Sequence, residues 1–319
     1  MDESKAQTHS SDHDEWANVK IRHAYHELPG HFYSAVTPSP LDNPAWVHWN
    51  ADMAQQLGLP RIASPQLLQQ FAGKNAHPYL KPIATKYVGH QFGYYNPDLG
   101  DGRGLLLGEL YHQTEKQWYE MHVKGSGPTP YSRGADGRAV LRSSIREYLI
   151  SEALHHLGIP TTRALGLITS ETQVYRDGIE NGAICIRLAP SHIRFGHFEH
   201  FYQQKDHDGL KALLDFCIAH YFPECQKAQV PYAAFFKTVC DKTAELIANW
   251  QAFGFAHGVL NTDNMSILSL SFDFGPFAFL DGYQSDFICN HSDSQGRYSF
   301  ANQPAIGQWN LQVLAQALS

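Results

Sequence analysis

The stretch His257-Gly-Val-Leu-Asn-Thr-Asp-Asn-Met-Ser-Ile-Leu-Ser-Leu-Ser-Phe-Asp-Phe-Gly275 decides how this chain is read. Asn264 stands seven residues after His257, and Asp273-Phe274-Gly275 begins nine residues after Asn264. Phosphoryl-transfer loops of the form H-R-D-x-x-x-x-N, followed by D-F-G, use the first Asp to orient an acceptor hydroxyl. Their Asn and second Asp hold a metal on the nucleotide phosphates. Here Val259 occupies the position of the first Asp. A valine can neither take a proton nor orient a hydroxyl. The nearest carboxylate is Asp263, immediately before Asn264. Asp-Phe-Gly alone also makes a good turn. A helix, the His-Gly pair, the Asn and the tripeptide in that order point instead to a nucleotide–metal site. Hard oxygen ligands there suit Mg²⁺ or Mn²⁺.

Working outward, Tyr232 to Phe253 reads as a helix whose apolar face is Phe235, Val239, Leu246, Ile247 and Trp250. Leu210 to Tyr221 is a second helical pattern. Before Pro190 the character differs. Leu80 to Leu110 is glycine-rich and reads as strands and tight turns, and Leu105–Leu107 and Gln117–Val123 read as two strands. A helix is expected from Ser144 to Leu157, with Ile145, Tyr148, Leu149, Ala153 and Leu154 on its apolar face and Gly158 and Pro160 ending it. Strands are expected at Thr172–Arg176 and Ala183–Leu188, joined by a turn over Asp177–Gly182. This segregation predicts an α+β fold with a protein-kinase-like pair of lobes. Its divisions are a flexible arm over residues 1–15, a β-rich N-lobe over 16–190 and a helical C-lobe over 191–319. Trp309 to Leu318 begins an amphipathic helix that Ser319 cuts short, so the C-lobe is read as incomplete and the chain as truncated.

A phosphate-binding site also needs a loop that approaches closely and cations to meet charge. Gly100-Asp-Gly-Arg-Gly104 supplies a flexible turn, although a plain hairpin reads the same way. Lys124 ends a strand and Glu147 lies on the following helix, as in the ion pair that sets a kinase lysine on phosphate. Ser144-x-x-Glu147 is equally a capping box. Arg187 and Arg194 suit bidentate phosphate recognition or a structural ion pair. Asp136-Gly137 adds a turn with a carboxylate.

Composition removes several classes. A hydrophobic share of 43% with 17% charged residues is that of an ordinary folded chain. A net charge of −7 gives no general attraction to nucleic acid. No apolar run is long enough for a membrane span, and the acidic start carries no secretory or import signal. A cytoplasmic location is the expectation. Five scattered cysteines without CxxC spacing read as reduced thiols. Nineteen histidines show no HExxH, and His155, His156, His197 and His200 read as surface or packing residues.

Long stretches, and not the tripeptide alone, resemble the selenoprotein O family of kinase-like protein adenylyltransferases. They are Ala84–Gly93, Leu99–Arg103, Val123–Arg133, Ala135–Glu147, Ile193–His197 and His257–Phe277. The resemblance implies a pseudokinase fold with the nucleotide reversed, so that the α-phosphate of ATP meets the acceptor. AMP would pass to Ser, Thr or Tyr hydroxyls of proteins, with release of pyrophosphate. Carried over, Lys124 pairs with Glu147 and touches phosphate, and Gly100, Gly102, Arg103, Asp136, Gly137, Arg187, Arg194 and Asp273 line the nucleotide site. Asp263 is then the general base, and Asn264 and Asp273 hold the metal. Val259 fits this reading, because a reversed nucleotide puts the reacting phosphorus away from the usual base. Two alternatives stand beside it, a conventional protein kinase and a catalytically inactive ATP-binding scaffold. The choice between ATP and UTP, and between Mg²⁺ and Mn²⁺, stays open.

Overall fold

The computed structural model describes residues 14–319, so the arm expected over residues 1–15 lies outside the described residues except for its last two positions. The strand Gln117–Lys124 sets the architecture. Tyr119, Met121 and Val123 enter an apolar core, and alternation turns Glu120, His122 and Lys124 to the opposite face. Its neighbour Ile179–Ala189 divides likewise, with Ile184, Ile186 and Leu188 in that core and Cys185 and Arg187 opposite. Both lie inside a nine-stranded antiparallel sheet. Its main path runs Tyr33–Ala35, Ile83–Thr85, Gly104–His112, Gln117–Lys124, Ile179–Ala189, Arg163–Tyr175 and Ala45–Trp49.

Two short helices, Ala51–Gln56 and Pro65–Phe71, close the apolar face with Met53, Ala54, Leu67 and Phe71. Each starts on a capping side chain, Asn50 accepting from the Met53 amide and Ser64 from the Leu67 amide, both at 3.1 Å. The helix Leu141–His156 packs on the other face through Leu141, Ile145 and Tyr148.

That helix corrects two expectations. It begins three residues before Ser144, after Val140, and has no side-chain cap. Ser144 is therefore buried inside the helix, and the Ser144–Glu147 capping box does not form. Leu149 and Ala153 were expected on the apolar face but are exposed, Leu149 by 62%, and Ile150 is buried instead. The strands expected at Thr172–Arg176 and Ala183–Leu188 are longer, Arg163–Tyr175 and Ile179–Ala189, so the turn between them shortens to residues 176–178.

Beyond residue 190 come the helices Phe195–Gln203, His207–Tyr221, Pro231–Phe253 and Gln303–Ala317. The first of them was not anticipated. Phe198, Leu213, Phe235, Val239, Ile267 and Leu314 form their shared core. Pro231–Phe253 buries the predicted face, Phe235 through Trp250, and Gly254 ends it at φ +68°. A third cluster joins Ile150 and Leu154 of the Leu141–His156 helix to Trp250, Phe255 and Phe274. It holds the 257–275 segment against the polar face of the sheet. The fold is α+β, with seven α-helices among the described residues. No described helix is long and apolar enough to cross a membrane.

Candidate functional site

The polar sheet face and the 257–275 segment enclose a cleft of about 560 Å³. Gly100, Gly102, Arg103, Lys124, Asp136, Gly137, Arg187, Arg194, Asp263, Asn264 and Asp273 all line it. Glu147 stands just behind, bonded to Lys124 Nζ through Oε2 and to Arg187 Nη1 through Oε1 at 3.1 Å. Every residue proposed from the sequence thus falls at one place.

The arrangement follows from register. Arg187 is the cross-strand partner of His122, and Cys185 that of Lys124, so the two cations sit on one face. Asp273 takes Arg187 Nη1 on Oδ1 at 2.5 Å and Arg194 Nη1 on Oδ2. Arg194 also donates to the Asp263 carbonyl at 2.8 Å and lies over the rings of Tyr87 and Phe272. Burial alone would raise the acids, yet Arg194, Arg187 and Lys124 hold Asp273 well below the usual carboxylate range. Glu147 is lowered the same way by Lys124 and Arg187. Lys124 is lowered, because burial outweighs the pull of Glu147. Asp273 itself has φ +56°, a left-handed conformation that aspartate tolerates better than most side chains.

In the loop, Asn264 Nδ2 donates to the Val259 carbonyl at 2.9 Å, which leaves the amide oxygen of Asn264 for another partner. His257 is buried and bonds the Phe272 carbonyl at 3.0 Å, tying the two halves of the motif together. Asp263 Oδ2 accepts from Gln91 Nε2 at 3.1 Å, whereas Oδ1 is buried without a hydrogen-bond partner among the described residues. Burial raises this acid to about 6. A buried, unpartnered carboxylate oxygen at a cleft is suited to accept a proton or meet a cation. Among the described residues no three His, Cys, Asp or Glu side chains converge as a metal cage. The oxygen donors here are the Asn264 amide and the carboxylates of Asp263 and Asp273, the last already met by Arg187 and Arg194. That set fits a hard divalent ion completed by phosphate oxygens.

The glycine turn is held from below. Asp101 Oδ2 accepts from the Thr85 amide at 2.9 Å and hydroxyl at 2.6 Å, and its carbonyl accepts from Thr129 at 2.8 Å. Gly100 has φ +135° and packs against Tyr131 so closely that a Cβ would come within 2.7 Å of the ring. Asp136 bonds Arg176 at 2.8 and 2.9 Å, at the more exposed end of the cleft. Seven lysines and arginines line the cleft against four aspartates, so it is cationic inside a protein of net charge −7.

Several side chains here were not anticipated. Gln91 and Tyr87 lie in a stretch already noticed for its resemblance, and Asp101 lies between two noticed glycines. His122 is two residues before Lys124, and period-two alternation alone would have placed it on the same face.

The model of the family described as protein adenylyltransferase SelO matches residues 15–319. A protein nucleotidyltransferase YdiU of Vibrio vulnificus is 58% identical over 305 residues, 95% of this chain and 62% of that protein. One from Vibrio cholerae is 56% identical over 304 residues, 95% of this chain and 62% of that protein. One from Pseudomonas fluorescens is 58% identical over 290 residues, 90% of this chain and 59% of that protein. The chain spans about three fifths of the length of the curated relatives it matches.

Proposed function

The chain belongs to the SelO family of protein adenylyltransferases, and we propose that it transfers AMP from ATP to hydroxyl groups of Ser, Thr or Tyr on proteins. The observation that carries this reading is the pairing of Val259 with Asp263. The loop lacks a carboxylate where phosphoryl transfer needs one, and has a buried one with an unpartnered oxygen further along the cleft.

In this reading the cleft is the floor of a kinase-like pair of lobes, divided near residue 190, with the nucleotide reversed. Asp263 Oδ1 takes the proton of the acceptor hydroxyl as its oxygen attacks the α-phosphorus. The bond from the α-phosphorus to the bridging oxygen breaks, and pyrophosphate leaves. Lys124, Arg103, Arg187 and Arg194 face the charge that gathers on the leaving group, and Lys124, Arg187 and Arg194 are already oriented by Glu147 and Asp273. Asn264 and Asp273 would hold a Mg²⁺ or Mn²⁺ ion, which supplies further charge neutralisation on the phosphates. Gly100, Gly102 and Gly137 let the backbone approach phosphate, and Asp136 braces that end through Arg176.

Incubation with ATP labelled at the α- or the γ-phosphate tests the reading. Protein-bound label is expected only from the α-position. Label transferred only from the γ-position would establish a kinase, and no label from either would leave an ATP-binding scaffold. Repeating the α-label experiment with UTP, and with each metal, identifies the donor base and the ion.

A further inference from the structure

His122 is buried on a central strand and touches two separate parts of the cleft. Its Nδ1 lies 2.9 Å from Arg187 Nη2, which can only donate, so the ring proton belongs on Nε2. Nε2 makes no hydrogen bond among the described residues but faces the Asp101 carboxylate, Oδ1 at 3.4 Å, and Asp101 is the residue that anchors the glycine turn to Thr85. The ring of His192 lies alongside at 5.0 Å and restricts the remaining direction of movement.

Two features are unexplained by nucleotide binding alone. A Cβ on Gly104 would come within 2.2 Å of His122 Cε1, so the last glycine of the turn makes room for this imidazole. Arg187 also has its two terminal nitrogens held by different groups. Nη1 is shared by Glu147 and Asp273, and Nη2 is held by His122. Without His122 the guanidinium could pivot about its anionic partners. Burial and the charge of Arg187 keep the imidazole acid, at about 4, so near neutral pH its Nδ1 lone pair is available.

We propose that His122 is a positioning residue, which fixes the Arg187 guanidinium toward the nucleotide and couples that orientation to the glycine turn through Asp101. The inference rests on the nucleotide-site reading above.

Two substitutions separate positioning from packing. His122→Asn keeps an acceptor near the Nδ1 position, whereas His122→Leu fills the space without one. Titration calorimetry with ATP and Mg²⁺ is expected to show the leucine variant binding about tenfold more weakly than the original chain or worse. The asparagine variant should stay within about threefold of it. Equal affinities for the two variants would overturn the positioning role while leaving the nucleotide site in place. An original chain that binds no ATP would instead remove the nucleotide-site reading and this inference with it. Should the leucine variant not fold, the ¹⁵N resonances of His122 in the unsubstituted protein, assigned by their loss in His122→Asn, decide the matter. Protonation at Nε2 is expected, and a proton on Nδ1 would overturn the proposal.

Discussion

Glu120 ends the polar face that carries His122 and Lys124, and replacing it with glutamine should stabilise the protein at alkaline pH. The side chain is 1% exposed. Oε2 accepts from the His192 amide at 2.6 Å and from His192 Nδ1 at 3.0 Å, and Oε1 accepts from Ser191 at 3.2 Å and Tyr221 at 3.4 Å. Burial raises this acid from 4.5 to about 7, with the His192 amide, Ser191, His122 and Tyr221 offsetting only part of the effect. Between those values the folded protein holds a proton that the unfolded chain has released, so stability falls as pH rises. The whole difference amounts to about 3 kcal/mol and is fully expressed above about pH 8. Its neighbours do not reverse the sign. Burial and nearby arginines hold His192 at about 3, so it is neutral there, and the charge of Glu120 itself helps raise Glu109. In Glu120→Gln the amide oxygen can still accept from His192, and the NH₂ can donate to the Ser191 and Tyr221 hydroxyls. Urea unfolding from about pH 5 to about pH 8 should therefore show the variant gaining on the original chain with pH, toward about 3 kcal/mol. A difference that does not change with pH, or a variant less stable at the alkaline end, would refute the reasoning.

Glu147→Ala strips the anion from both Lys124 and Arg187 and should cost about 3–5 kcal/mol in denaturant unfolding. Lys124→Ala should cost less, because Glu147 keeps Arg187. Asp263→Asn should lower the rate constant of AMP transfer about 10²–10⁴-fold while calorimetry shows ATP binding little changed. Gly137→Ala places a Cβ 2.1 Å from the Gly127 carbonyl at φ +65°, and should lower unfolding free energy by about 1–3 kcal/mol and weaken ATP binding.

Parts of this architecture were legible because they rest on local pattern. The Pro231–Phe253 helix follows from its 3.6-residue stripe, and Gly254 marks its end. The site was legible because its residues come as spaced motifs. Ser144 misled, because S-x-x-E describes a cap only where a helix starts, and pairing of Ala139–Val140 with Ile179–Ala189 hands the chain into the helix at Leu141. The Phe195–Gln203 helix was hidden because it is short and built largely of glycine, histidine and aromatic residues, which are weak helix formers. The roles of His122 and Asp101 were hidden for a different reason, although alternation places His122 on the face of Lys124. Their importance lies in contacts between strands and a turn, which no spacing within the sequence displays.

Under the proposed function, this cleft transfers a nucleotidyl group and not a phosphoryl group. The mass of an acceptor protein after incubation with ATP and Mg²⁺ or Mn²⁺ tests it most directly. An increase equal to one AMP residue, absent in Asp263→Asn, is the result predicted. An increase equal to a phosphate, or an AMP adduct that persists undiminished in Asp263→Asn, would contradict it.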